Sequence, residues 1–105
     1  MIEAAVAMTT TNTEREAKLL ASLIVNEKAA ACVQIVPKIL SVYRWDGEVR
    51  EDQEYLLMIK TAEKRIDDVR KIIEKNHSYE VPEFVVLPII DGAEDYMEWI
   101  AEVTK

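Results

Sequence analysis

The chain has 105 residues, half of them hydrophobic, and a formal net charge of −7. This length predicts a single domain, residues 1–105, with a modest core. The acidic balance argues against nucleic acid and against an anionic membrane as partners. The first eight residues, MIEAAVAM, lack a basic flank and are interrupted by Glu3, so they predict neither a signal peptide nor a membrane span. Cys32 is the only cysteine, which excludes an intrachain disulfide and fits a reducing compartment.

The first part of the chain predicts a strand, a helix and a long strand. Ile2–Met8 is a short apolar run typical of a buried strand, and the following TTTNT stretch predicts a turn. Thr13 and Glu16 have the spacing of a capping box that starts a helix. Ala30–Trp45 is a long strand candidate, in which Pro37 predicts a bulge or an edge position. The apolar positions of the helix recur at helical spacing and are Ala17, Leu20 and Ile24.

The second part of the chain predicts a return strand, a helix, a strand and a last helix. Asp46-Gly47 is a strong hairpin turn, and the return strand extends from about Val49 to Thr61. A helix follows from about Glu63 to Asn76, with Ile66, Val69 and Ile73 on one face. Glu83–Ile90 is rich in Val and Ile and contains Pro88, which predicts an edge strand. The last helix carries Tyr96, Trp99, Ile100 and Val103.

The predicted order is β-α-β-β-α-β followed by a helix. This order indicates an α+β, ferredoxin-like fold, with an antiparallel sheet and two helices on one face. The hairpin would span about 50 Å, whereas a domain of this size has a radius of gyration of about 13 Å. Its tip would expose Leu40, Val42, Tyr43 and Trp45, and the second face of the sheet would lack a helical cover. We therefore expect a closed oligomer in which each hairpin lies against a neighbour's sheet.

Four stretches of the chain resemble the CutA (CutA1) divalent-cation tolerance proteins. They are EKAAACVQIVPKILSVYRWDGEV, EYLLMIKT, HSYEVPEFVVLPI and DYMEWI, and the resemblance covers essentially the whole sequence. It implies a ferredoxin-like subunit with a long β-hairpin, in a tight homotrimer whose architecture is like that of the PII signalling proteins. It also implies a cytoplasmic protein linked to tolerance of copper and other divalent ions, with no established enzymatic activity.

The sequence departs from the family pattern at several positions. Gln34 replaces an Asn, Ser78 replaces a Pro, and Arg44 precedes Trp45 where a tandem aromatic is common. In members proposed to bind copper, a Cys and a second His match Met8 and Asn76 of this chain. A thioether still suits Cu(I), but thiolate is the stronger ligand, so we expect weak copper binding.

The stretch NHSYEVPEF contains the only histidine, and two interpretations of it stay open. In the first, His77 with Glu80 and Glu83 forms a metal site, to which Met8 and Cys32 contribute sulfur. In the second, His77 ends a helix and makes only structural hydrogen bonds. Cys32 lies among Ala and Val, which favours a buried, unreactive thiol.

Two function classes follow from these residues. One is a non-enzymatic homotrimer that binds copper or another divalent ion, with no cofactor needed for folding. The other is a PII-like signalling or adaptor trimer that binds a small ligand in its inter-subunit clefts, near Lys60 and Tyr79. Lys60 fits an anionic ligand and a solvated strand end equally well. Tyr43, Trp45, Leu40 and Val42 are predicted at the trimer interface. One histidine and two glycines leave no Ser-His-Asp set and no phosphate loop.

Overall fold

The computed structural model describes residues 3–105, so the predicted start of the first strand at Ile2 lies outside the described residues. Within them the fold is α+β and ferredoxin-like, with a four-stranded antiparallel sheet in the order β2-β3-β1-β4. The strands are β1 (Ala4–Thr11), β2 (Cys32–Trp45), β3 (Glu48–Ala62) and β4 (Val85–Ile89). The helices are α1 (Glu14–Asn26), α2 (Ile66–Asn76) and α3 (Glu94–Val103), and a 3-10 turn at Glu63–Arg65 precedes α2.

The core lies between the sheet and the helices α1 and α2. It is built from the residues that helical spacing and strand alternation place on the facing sides: Ala7, Ala17, Leu20, Ile24, Leu57, Ile59, Val69, Ile72 and Ile73. The predicted apolar faces of both helices are confirmed. Thr13 caps α1, because its side chain accepts a hydrogen bond from the Glu16 N–H at 3.1 Å.

The first strand is longer than predicted. The turn expected at TTTNT is wrong for its first three threonines, because β1 continues to Thr11 and pairs with β3 as far as Tyr55. Threonine is β-branched and suits a paired strand. Pairing of β1 with β4 ends earlier, at Met8 and Val85. The far end of β1 therefore has a neighbouring strand on one side only.

The hairpin β2–β3 extends beyond the rest of the subunit. The molecule measures 44 × 25 × 21 Å, and this elongation follows the long hairpin. The predicted bulge at Pro37 is confirmed by a register shift between Val36 and Ile39. The turn is also confirmed, with Asp46 and Gly47 at φ values of 56° and 79°.

The helix α3 covers one end of the second sheet face, which was expected to lack a helix. Lys60 points away from the core face, and its Nζ atom lies 5.7 Å from the centre of the Tyr96 ring of α3. Ile100 of α3 is fully buried but does not belong to the main core cluster. The rest of this face and the hairpin keep large apolar side chains exposed, among them Val36, Leu40, Val42, Tyr43, Trp45 and Leu87. No helix in the described part of the chain is long and apolar enough to cross a membrane.

Candidate functional site: an acidic, aromatic cleft beside the hairpin

His77 stands where the chain leaves α2, and its ring completes the free side of β1. Its backbone N–H donates to the Ile73 carbonyl at 2.9 Å, which closes the last helical turn. The ring then lies against β1, with Nε2 2.7 Å from the carbonyl oxygen of Thr10. This carbonyl lies beyond the last residue pair of β1 and β4. The imidazole thus supplies the donor that a neighbouring strand would otherwise provide.

The hydrogen bonds of His77 define its tautomer. The Tyr79 backbone N–H donates to Nδ1 at 3.0 Å, so Nδ1 is an acceptor and Nε2 carries the proton given to Thr10. The His77 side chain is 1% exposed, and a Glu16 carboxylate oxygen lies 3.6 Å from Nδ1. A metal ion needs a free lone pair on a ring nitrogen. Within one subunit, binding through His77 would require one of these hydrogen bonds to break.

Glu16 ties the loop after α2 to helix α1. Ser78 donates to its carboxylate twice, from the backbone N–H at 2.7 Å and from the hydroxyl at 2.8 Å. The side chain of Glu16 therefore bonds to Ser78, rather than to the backbone N–H of Thr13 as the predicted capping box would require. This pairing fixes the position of the residues that follow, Tyr79 to Glu83.

Tyr79 connects the same loop to the hairpin. Its hydroxyl donates to Oε2 of Glu54 at 2.7 Å, and its ring centre lies 4.8 Å from that of His77. Burial, the hydrogen bond to Glu54 and the negative charge of Glu54 all raise the pKa of Tyr79 strongly. Glu54 is only 8% exposed, although it ends a run of charged and polar residues, REDQE, at positions 50–54. Tyr79 therefore stays protonated and serves as a fixed hydrogen-bond donor.

The hairpin and the loop enclose a cleft of about 570 Å³. Because β1 ends opposite Tyr55, the hairpin from Glu54 outward has no strand beside it, and the loop lies in that space. The volume is within the range of small-molecule sites. The cleft is lined by Thr10, Ser41, Val42, Tyr43, Trp45, Arg50, Glu54, Tyr79, Glu80, Val81 and Glu83.

The cleft has a negative electrostatic character. Burial and the nearby charge of Glu54 raise the pKa of Glu83. Among the described residues, no ion pair involves Glu54, Glu80 or Glu83. Arg50 is the one basic residue of the lining, and it pairs with Glu48 at 3.7 Å. A cation entering this cleft would therefore meet carboxylates that have no positive partner.

The structure brings some of the sequence-predicted site residues together and leaves others apart. His77, Tyr79, Glu80 and Glu83 belong to one loop beside the cleft. Lys60 is six residues from Glu54 along β3, which corresponds to about 20 Å, so it does not share this cleft within a subunit.

The two sulfur residues lie on the same sheet face as Glu54. Met8 is two residues from Thr10 of the cleft lining, whereas Cys32 lies toward the opposite end of β3. Cys32 is opposite Lys60, and Met8 is opposite Met58 on the other side of β3. Met8 and Cys32 belong to the two strands that flank β3, two strand spacings apart, and are offset by two residues along the strand direction. Their backbones are therefore about 12 Å apart. Residues 3–105 contain no group of three or more His, Cys, Asp or Glu side chains that could hold a metal ion. The metal set predicted from the sequence thus stays a prediction, now one about the assembled protein.

Sequence reasoning missed Glu54, Glu16 and Thr10. Glu54 ends a run of charged and polar residues whose other members, residues 50–53, are exposed. Strand alternation was the available indicator, because Glu54 has the same parity as Leu56 and Met58 and so lies on their face. The Thr10 carbonyl and the Glu16 carboxylate became visible only with the tertiary structure.

The comparisons with known proteins agree on one family. The model of the CutA1 divalent ion tolerance protein family matches residues 5–103. The chain belongs to the CutA1 family. It is 43% identical to the divalent-cation tolerance protein CutA of Thermus thermophilus over 94% of this chain and 96% of that protein.

Plant members of the CutA1 family are similarly close. The chloroplastic CutA protein of Arabidopsis thaliana is 49% identical over 87% of this chain, and the chain spans about half of its length, 50%. The crystal structure of CutA1 from Oryza sativa superposes with a TM-score of 0.95 at 43% identity, covering 99% of this chain and 95% of that one. The predicted family and the predicted fold class are both confirmed.

Proposed function

We propose that this protein is a non-enzymatic, cytoplasmic homotrimer that binds copper or another divalent metal ion weakly and contributes to metal tolerance. The observation that carries this proposal is the end-to-end match to the Thermus protein, whose name describes divalent-cation tolerance. The Arabidopsis relative is named as chloroplastic, so the compartment differs among relatives.

Assembly is supported by the apolar surface of the hairpin. Leu40 and Val42 are 66% and 61% exposed, and Tyr43 and Trp45 are 39% and 46% exposed. Apolar surface gains about 25 cal/mol per Å² when it leaves water. Large apolar side chains left exposed on both faces of a monomer's strand commonly mark an interface. A closed trimer in which each hairpin lies on a neighbour would bury these side chains.

Weak metal binding follows from the ligands that one subunit offers. Glu80 and Glu83 present carboxylate oxygens in the cleft, Cys32 and Met8 present sulfur on the open sheet face, and the nitrogens of His77 are engaged. No single subunit assembles a full set from its described residues. A metal ion would therefore be shared between subunits, or would displace a hydrogen bond of His77. The second route gives weak affinity, because a hydrogen bond of His77 is lost.

Titration calorimetry on the assembled protein tests this proposal. Cu²⁺, Zn²⁺ and Mn²⁺ are each titrated into the parent, the double variant Glu80→Gln/Glu83→Gln, Cys32→Ser and His77→Ala. Loss of heat in the double variant assigns the metal to the carboxylates, and loss in Cys32→Ser assigns it to the sheet face. Loss in His77→Ala without a change in assembly assigns it to the imidazole. Absence of saturable binding of all three ions by the parent would refute the metal part of the proposal.

A second candidate function is that of a PII-like signalling or adaptor trimer with a small-molecule ligand. The open cleft favours it, because aromatic walls and several polar groups converge in a volume suited to a small organic molecule. A panel of metabolites, titrated beside Cu²⁺ into the same preparation, distinguishes the two functions. Saturable binding of a metabolite without binding of metal would favour the second function.

A further inference from the structure

The chain contains two Asp-Gly dipeptides in very different surroundings. Asp46-Gly47 forms the tip of the hairpin, whereas Asp91-Gly92 lies in the irregular segment between β4 and α3. Both residues of the second dipeptide are exposed. A glycine after an aspartate leaves the peptide nitrogen unshielded, because no Cβ atom stands beside it. The two dipeptides therefore offer the same chemistry in two backbone conformations.

At Asp91-Gly92 the peptide nitrogen lies directly beside the carboxyl group of the preceding residue. The Gly92 N–H donates to Oδ1 of Asp91 at 2.8 Å. Within residues 3–105 this N–H makes no other hydrogen bond, so neither a strand nor a helix holds it elsewhere. A nucleophile held next to the atom that it attacks has already lost much of the entropy that the reaction would cost.

At Asp46-Gly47 the backbone is held in another conformation. Both residues have positive φ, at 56° and 79°, and strand pairing continues up to the turn, with Trp45 opposite Glu48. Arg44 donates to the Gly47 carbonyl at 3.4 Å, which holds the turn further. In the described part of the chain, the Gly47 N–H makes no hydrogen bond to the Asp46 carboxylate. The hairpin thus supplies an internal control for the second dipeptide.

The backbone at Gly92 also packs closely against α3. A Cβ atom placed on Gly92 would lie 2.8 Å from Sδ of Met97, a residue of that helix. An atom added to the backbone here must therefore displace the Met97 side chain or move the loop away from α3. The helix has few attachments to the sheet, because Ile100 is its one buried residue. Its other contact with the sheet is that of Tyr96 with Lys60.

We propose that Asp91 is a site of spontaneous covalent modification, at which it isomerises to isoaspartate, and that this change loosens α3. The Gly92 nitrogen forms a bond to Cγ of the protonated Asp91 carboxyl, and the amide proton leaves with the carboxyl hydroxyl as water. The product is a cyclic succinimide. Water then adds to the α-carbonyl carbon and breaks its bond to the Gly92 nitrogen, so the chain continues through the Asp91 side chain.

The reaction releases one water and takes one up, so it needs neither an oxidant nor a second protein. It lengthens the backbone by one methylene at the point where Gly92 contacts α3. The freed α-carboxylate is the group that protein isoaspartyl methyltransferases methylate, which gives the class of enzyme that would recognise the product. This inference goes beyond the role in metal tolerance and does not depend on metal binding.

Incubation of the native protein in heavy-oxygen water tests the proposal, because hydrolysis of the succinimide places a labelled oxygen in the chain. Trypsin separates the two dipeptides into the peptides 45–50 and 76–105. We expect label at Asp91 and none at Asp46, as located by fragment mass spectra. Acceptance of a methyl group from an isoaspartyl methyltransferase should appear in the same peptide, 76–105. Equal label in both peptides, or label in neither while the denatured chain incorporates it, would overturn the proposal.

Two matched variants separate the reaction from general exchange. Asp91→Glu keeps the charge but would require a larger ring, so the label and the methyl acceptance at this position should be lost. Asp95→Glu, at an exposed position of the same peptide, should leave both unchanged. Persistence of the signals in Asp91→Glu would overturn the assignment to Asp91.

Hydrogen exchange tests the consequence for α3. Aged parent protein should exchange the amides of α3 faster than fresh protein, and aged Asp91→Glu should not. Equal exchange in fresh and isomerised parent would show that the loop absorbs the added methylene, and would overturn the coupling to α3.

Discussion

The hydroxyl of Tyr79 donates to the Glu54 carboxylate at 2.7 Å, and this bond joins the loop after α2 to the long hairpin. Both residues lie beyond the end of β1, where no strand pairing connects the two parts of the fold. The bond therefore sets the width of the cleft and, together with burial, raises the pKa of Tyr79. Its removal should affect both the stability of the subunit and the geometry of the site.

Tyr79→Phe should lower the free energy of unfolding by about 1–3 kcal/mol, because it leaves an oxygen of the buried Glu54 without its donor. Chemical denaturation at neutral pH measures this loss. Tyr96→Phe is the matched control, since Tyr96 is 40% exposed and its hydroxyl makes no hydrogen bond within residues 3–105. Equal losses in the two variants would show that the bond to Glu54 contributes nothing.

Glu83 should make stability fall as the pH rises from acid toward neutral. Its raised pKa means that the folded state binds the proton more tightly than the unfolded state does. The resulting stabilisation is complete below the pKa of an unfolded glutamate, about 4.3, and is lost as the pH rises through the folded value. Glu83→Gln should therefore raise the melting temperature more at neutral pH than at acid pH.

Thermal melts of the parent and of Glu83→Gln over this range measure that difference. Glu27→Gln supplies the comparison for a carboxylate that is exposed and outside the cleft. A difference between parent and Glu83→Gln that does not change with pH would contradict the expectation.

Gly47→Val should destabilise the hairpin through backbone conformation alone. Gly47 has φ of 79°, and a Cβ atom placed there would meet nothing within 4 Å. The expected loss is about 1–2 kcal/mol, the cost of the left-handed region for an L-residue. Gly47→Asn should lose less, because asparagine tolerates this region better. Melting temperatures of the two variants make the comparison, and a valine variant as stable as the parent would show that the turn relaxes freely.

The sequence predicted the fold well where local chemistry and tertiary structure agree. The turn at Gly47 follows from the dihedral preference of glycine, and the bulge at Pro37 follows from the missing N–H of proline. The apolar face of α1 follows from helical spacing. The predicted order of the elements indicated the ferredoxin-like fold, and the family resemblance agreed with it. The end of β1 was predicted too early because threonine and asparagine in the TTTNT stretch favour a turn. Pairing with β3 outweighs that preference.

The site was less predictable, because it depends on contacts between distant residues. The loop from His77 to Glu83 was recognised from its residue types, but Glu54 reaches it through Tyr79, which is 25 residues away in sequence. The position of α3 over Lys60 also required the tertiary structure, since a short amphipathic helix can pack on either sheet face. Whether these residues meet those of a neighbouring subunit depends on assembly.

The protein should sediment as a homotrimer at micromolar concentration. The subunit exposes a long apolar hairpin, and an obligate assembly of this kind buries well over roughly 2,000 Å² in total. Val42→Asp should weaken the assembly, because it places a charge in the predicted interface. Leu19→Asp is the control, since Leu19 is 55% exposed on α1, away from the hairpin. A parent protein that sediments as a monomer would refute the trimer.

His77→Ala should destabilise the subunit, because the imidazole is buried and makes two hydrogen bonds. The Thr10 carbonyl would lose its donor and the Tyr79 N–H would lose its acceptor, with an expected loss of about 2 kcal/mol or more in unfolding free energy. Lys75→Ala, at an exposed position of the same helix, should change the stability little. Denaturation of the three proteins gives the comparison. A His77→Ala variant as stable as the parent would show that these hydrogen bonds are replaced by water, and would leave the imidazole free to serve as a metal ligand.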